Sequence, residues 1–289
     1  MNFTPTISQL KMLASLRGNL WMVHEGRAVE LALSALELSE RTSKERHTDE
    51  ELSEYYTLRP ASVIDGNGIA HIEARGAMLM DCRPIYERVG MTIRYSTLIS
   101  ETENAVSQGA KGILYKINSP GGSVSGNIEA SELVANLTIP TVSFCEGLAC
   151  SAAYKFASGT DSIVASKSAL MGNIGTILSW ADWSKFQEKW GIEMKAITSE
   201  GADLKSTFHL MPNEEQIQFL QESINKSGEA FKAHVIAGRT KAGADLSDEV
   251  FRAGWYSGED AGNLGLIDAI GTHKDAYDQL LALTQKNSL

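Results

Sequence analysis

An α/β domain preceded by a helical arm is the architecture this sequence predicts, on three observations. A strong turn signal stands at Asp65-Gly66-Asn67-Gly68, short apolar runs alternate with helical periods after it, and residues 1–60 follow a different pattern. A length of 289 residues, 43% of them hydrophobic and 21% charged, is ordinary for a soluble globular chain with a sizeable core.

In the first 60 residues Ala28, Val29, Leu31, Ala32, Ala35, Leu36 and Leu38 recur at helical spacing, so one amphipathic helix is expected. The charged stretch from Ser39 to Glu54 then reads as a solvated helix or linker and not as a binding tail. Residues 1–60 are accordingly an arm and 61–289 the main domain. Within that domain Gly68 to Ala74 reads as a strand, Ser96 to Gln108 as a helix and Gly112 to Ile117 as a buried strand. A helix over Ile128 to Leu137 follows, with Ser123 or Ser125 as its cap. Strands are expected at Ile139 to Cys145, Ser162 to Ala165 and Ile174 to Trp180, and helices at Ser151 to Ser158 and Ala181 to Trp190. Ile192 to Thr198 reads as extended, and Asn213 to Ala237 as a long helix with Ile217, Leu220, Ile224 and Phe231 on one side. No repeat of fixed period is visible.

Bulk charge and cysteine usage exclude several function classes. A net charge of -10 without any basic block argues against a nucleic-acid partner, because phosphate binding needs concentrated Lys and Arg. The three cysteines, Cys82, Cys145 and Cys150, are odd in number and lack C-x-x-C spacing, so neither a disulfide framework nor a zinc site is expected, and a reducing compartment fits. No apolar run is long enough for a signal-peptide core or a membrane span, which predicts a cytoplasmic protein.

Two segments carry candidate chemistry. Glu146-Gly147-Leu148-Ala149-Cys150-Ser151-Ala152-Ala153-Tyr154 sets one hydroxyl among very small residues between a strand-like and a helix-like stretch, the setting of an activated serine. Upstream, Ile117-Asn118-Ser119-Pro120-Gly121-Gly122-Ser123 reads as a strand ending in a glycine turn, where bare amides can point at a developing oxyanion. Serine needs a base within hydrogen-bond reach. The histidines at 24, 47, 71, 209, 234 and 273 include none between Ser151 and His209. Lysine is the other candidate, since desolvation lowers an amine from about 10.4 toward neutrality. Lys155, four residues after Ser151, is expected to face solvent and ranks second to Lys205, which follows the loop Ser199 to Leu204. Cys150 reads as a small buried hydrophobe, and Gly122-Ser123-Val124-Ser125-Gly126 lacks the Gly-Lys-Ser/Thr of a phosphate loop.

The order of Asn118-Ser119-Pro120-Gly121-Gly122, Ala149-Cys150-Ser151-Ala152-Ala153-Tyr154, Gly172-Asn173-Ile174-Gly175 and Ser199 to Lys205 resembles that of the signal peptide peptidase A (S49) family of serine peptidases. Tyr256-Ser257-Gly258-Glu259-Asp260-Ala261 and Leu264-Gly265-Leu266-Ile267-Asp268 resemble the family's closing helix and strand. The resemblance implies a Clp protease/crotonase-like superhelix of repeated β-β-α units, and a peptidase domain over 61–289. It also implies Ser151 as nucleophile, Lys205 as general base, and the amides of Gly121 or Gly122 with that of Ala152 as oxyanion hole. Asn173 stands where the family commonly has a serine that holds the lysine amine, a role an amide oxygen can fill, and Gly201 to Lys205 is one residue longer than the usual spacing. Within the family the chain looks most like the tailed-phage capsid assembly proteases, which implies a homo-oligomer without metal or organic cofactor, acting on scaffold, portal or its own chain in the host cytoplasm or in immature capsids. A cytoplasmic signal-peptide-peptidase-like protease, a crotonase-type acyl-CoA enzyme and an inactive assembly component are the alternatives.

Overall fold

The computed structural model describes residues 21–23, 58–180, 182–205 and 211–286. The predicted arm helix over 28–38 lies outside them. Strand β1 is Trp21–Val23. The turn at 65–68 forms as its sequence dictates: Asp65 Oδ1 accepts from the amides of Asn67 and Ile69, and Gly68 takes φ +84°. It joins β2 (Val63–Ile64) to β3 (Ile69–Arg75) as an antiparallel pair.

The chain then repeats one device, a strand in a large sheet, a short strand in a second sheet, and a helix. After β3 come β4 (Ala77–Leu79), α1 (Pro84–Arg88), β5 (Thr92–Arg94) and α2 (Tyr95–Ser107). The second unit is β6 (Gly112–Ser119), β7 (Gly121–Ser123) and α3 (Asn127–Ala135). The third fuses both strand roles in the ten-residue β8 (Thr141–Cys150), followed by α4 (Ala152–Ser158). Strands β9 (Ser162–Ala165) and β10 (Leu170–Gly172), then helices α5 (Ser184–Lys189) and α6 (Glu214–Lys241), lead to the closing part. That part holds a 3-10 turn (Asp248–Arg252), β11 (Trp255–Ser257), α7 (Gly258–Asn263), β12 (Ala269–Ile270) and α8 (His273–Lys286). The expected repeated β-β-α architecture is therefore the observed one.

In the larger sheet β3, β6, β8 and β9 are parallel, β12 extends β9, and β10 runs parallel to the end of β8. The smaller sheet has the order β1-β7-β4-β5. Side-chain alternation sorts the core onto two faces of the larger sheet. Ala70, Ile72, Ile113, Tyr115 and Ile117 enter the main core with residues of α2, α3 and α4, while Ile69, Leu114, Val142 and Phe144 pack under Ala276 and Leu280 of α8.

Three expected elements differ. Residues 174–180 do not form a strand; 170–172 do, because β8 offers its edge there at Leu148 to Cys150. Neither Ser123 nor Ser125 caps α3: Gly126 is the N-cap at φ 86° without a side-chain bond, and Ser123 is drawn into β7. The helix expected from Ala181 is shorter, Ser184–Lys189.

Candidate active site

Ser151 sits where β8 gives way to α4. Its φ of 56° and ψ of -121° belong to a region that L residues other than glycine rarely occupy, so the junction holds strain of about 1–3 kcal/mol. The surroundings hold it there: its amide donates to Gly172 O at 2.7 Å and its carbonyl accepts from Lys155 N at 2.9 Å. A sharp strand-to-helix turn of this kind projects a hydroxyl from the backbone. Ser151 is fully buried, and its Oγ has no hydrogen-bond partner among the described residues. Such an orphaned hydroxyl asks for an explanation, and a reactive role is one.

The glycine pair forms β7. At Gly122 an added Cβ would lie 1.7 Å from Met78 O, so only glycine permits the approach of β7 to β4, with which it pairs in register at Met78. Gly121 takes φ +106°, and its amide donates to Ser119 Oγ at 3.2 Å. Helix α4, beginning at Ala152, packs against β7. Asn127 of α3 donates from Nδ2 to Ala152 O at 3.0 Å, fixing the start of α4 from the other side. Asn118 Oδ1 accepts from Leu148 N at 3.2 Å, which ties the end of β6 to β8. The contacts of Ser119 and Asn127 are not legible in the sequence, because a serine in a turn and an asparagine near a helix start have ordinary local uses.

Asn173 has φ 55°, donates its amide to Gly254 O at 2.6 Å and gives Nδ2 to Ala253 O at 2.9 Å. Its side-chain nitrogen is thus engaged. Lys205 lies exposed at the end of the turn over 199–205, where its amide donates to Ala202 O and its carbonyl accepts from Gln216 Nε2. Since Ser151 Oγ has no partner, Lys205 does not hydrogen-bond to it within this protomer.

Lys155 differs from its expected solvent position, being only 4% exposed. Desolvation lowers its amine from the ordinary value, while Glu132 and Glu129 of α3 oppose that shift. His234 of α6 faces it and is held down to about 4, first by desolvation and then by the Lys155 charge, against a hydrogen bond to the Lys155 main chain; its Nε2 is buried without a partner among the described residues. Burial pushes the Cys150 thiol up to about 12, in keeping with an inert buried residue.

A family model described as "Peptidase family S49" matches residues 135–287, a span that contains Ser151, Asn173 and Lys205, so the chain belongs to peptidase family S49. A protein of Methanocaldococcus jannaschii is 33% identical over 189 residues, covering 64% of this chain and 60% of that one. Protease 4 of Salmonella typhi is 31% identical over 236 residues, covering 80% and 37%. Capsid assembly protease C of Escherichia phage lambda is 26% identical over 216 residues, covering 73% and 48%. The chain thus spans between about a third and three fifths of the length of these relatives. Among solved structures, the 1510-N membrane-bound stomatin-specific protease is similar at a TM-score of 0.45 and 13% identity, covering 73% of this chain and 83% of that one.

Proposed function

We propose that the protein is a serine endopeptidase in which Ser151 attacks the peptide carbonyl, Lys205 takes its proton, and water on the same lysine later hydrolyses the acyl-enzyme. The observation that carries this reading is Ser151 itself, strained, buried and unpartnered beside β7 in an S49 chain. The oxyanion hole falls to the amides of Gly122 and Ala152, because the Gly121 amide is engaged by Ser119. Asn173, with Nδ2 given to Ala253, keeps Oδ1 to accept from the lysine amine.

Lys205 reaches a serine through assembly. It belongs to a segment whose Trp180, Phe186, Trp190, Ile192 and Ile197 are exposed, Ile197 completely. In α6 the buried residues, Phe231, Val235 and Arg239, all fall in the C-terminal half, so the stripe of Ile217, Leu220 and Ile224 has no core of its own. An apolar face of this kind marks contact with another molecule, and a homo-oligomer covers it. Substrates are scaffold, portal or the chain itself, a reading supported by similarity to Capsid assembly protease C and to Head-tail preconnector protein GP5 of phage P21. The likeness to Protease 4 keeps a signal-peptide-peptidase-like role as the competitor. No helix among the described residues is long and apolar enough to cross a membrane.

Mass spectrometry after co-expression with neighbouring gene products tests this reading. Cleavage products are expected with the wild type and absent with Ser151→Ala; products unchanged in that variant would refute it. Lys205→Ala should cost about 10²- to 10⁴-fold in rate with the fold retained, and activity should rise toward alkaline pH because only an uncharged amine accepts the proton. A specific observation favours Lys155 as a second candidate base, since it is the lysine that burial drives toward the neutral amine. If Lys155→Ala abolished activity and Lys205→Ala did not, the roles would be exchanged.

A further inference from the structure

Strand β7 is flanked on both sides. One side pairs with β4 at Met78, and the other carries β1, antiparallel, with Trp21 opposite Ser123, Met22 opposite Gly122 and Val23 opposite Gly121. Without β1, β7 would be an edge strand, a row of unpaired main-chain donors and acceptors next to the helix that begins at Ala152. An extended peptide presenting its carbonyl to the Gly122 amide would add to that same edge, since β4 already holds the other. The place where a substrate strand would lie is therefore filled by the chain's own residues 21–23.

We infer that residues 21–23 are an intramolecular ligand of this strand-acceptor edge and that the arm thereby inhibits the site in cis. This rests on the peptidase reading for what the edge serves, though not for the pairing. A strand tethered in the same chain competes at an effective concentration that does not fall with dilution, whereas a protein substrate arrives at its bulk concentration. Apparent substrate affinity falls by the fraction of molecules with the edge open. Because main-chain pairing carries the contact, the arm can yield to extended segments of other sequence.

The test compares full-length wild type, Met22→Pro and Met22→Ala. Proline removes the N–H and cannot continue a ladder, whereas alanine keeps the main chain. The probe is a fluorescein-labelled synthetic peptide of residues 17–27 of this chain, followed by anisotropy in a Ser151→Ala background so that binding is read without cleavage. The proline variant should bind it at least about fivefold more tightly than the wild type or the alanine variant, the effect of about one net hydrogen bond. Equal affinity for all three, or no binding to the proline variant, would overturn the inference. With Ser151 intact, casein hydrolysis should rise by about the same factor in Met22→Pro. If binding separated the variants while none hydrolysed casein and co-expression with neighbouring gene products gave no Ser151-dependent cleavage, the peptidase reading would fail and the cis pairing would stand. Should the proline variant misfold, hydrogen exchange of wild-type amides 21–23 decides: slow exchange is expected, and exchange as fast as in an open loop would refute the pairing.

Discussion

At the scale of single residues, strain and close approach mark the site better than charge does. Ser151 pays for its left-handed φ with no compensating side-chain bond. Ser151→Gly should therefore raise unfolding stability by about 1 kcal/mol while abolishing hydrolysis, because glycine takes that conformation freely and loses some of the gain to chain entropy. Chemical denaturation beside a peptidase assay reads both; a destabilised variant would mean the backbone is not strained. At Gly122 a methyl group meets Met78 O at 1.7 Å, so Gly122→Ala must displace β7 and with it the amide proposed as an oxyanion donor. A loss of about 10²- to 10³-fold in kcat is expected. The motif around Ser151 was legible in the sequence because small residues on both sides of one serine leave few other uses for it. The occupation of the Gly121 amide by Ser119 was not, since nothing in a Ser-Pro-Gly string says which lone pair the next amide finds.

At the scale of elements, the C-terminal half of α6 is fastened to the larger sheet by an ion pair between the buried Arg239 and the more exposed Asp268. Arg239 donates from Nη1 and Nη2 to both oxygens of Asp268 at 3.0 and 2.8 Å and from Nε to Gly265 O, while Asp268 also accepts from Ile163 N at 2.7 Å. Arg239→Ala removes a fully buried side chain together with its bonds to Asp268 and Gly265 O, and should cost about 2–4 kcal/mol in a denaturation experiment, from lost packing and lost hydrogen bonds. Helix α6 also meets α4 at His234. The unfolded imidazole protonates near 6.5 and the folded one only near 4, so its contribution is fully present above about 6.5 and drains as pH falls toward 4. Wild type should lose more stability than His234→Leu between pH 7 and pH 5, and parallel losses would exclude the histidine as the cause. Long elements such as α2 and α6 were legible from periodicity. Strands β4, β5 and β7 were not, because a three-residue strand has no period to read and exists only through the neighbour it pairs with.

For the whole molecule, the unbalanced feature is the apolar surface that Trp180, Phe186, Trp190, Ile192, Ile197 and Phe219 expose. Light scattering should show an oligomer, and Trp190→Glu, at a residue 66% exposed and remote in sequence from Ser151, should shift it toward monomer. A wild-type monomer at all concentrations would remove the route by which Lys205 reaches a hydroxyl. Among the described residues nothing hydrogen-bonds to Ser151 Oγ, Lys205 included.

Local patterns of residue types were enough to give the repeating α/β order, the candidate serine and glycine pair, and the family. Packing in three dimensions settled that Ser119 engages the Gly121 amide, that Lys155 is buried, and that residues 21–23 pair with β7. Those are matters of which distant backbone or side chain fills a given space, and no local spacing encodes them.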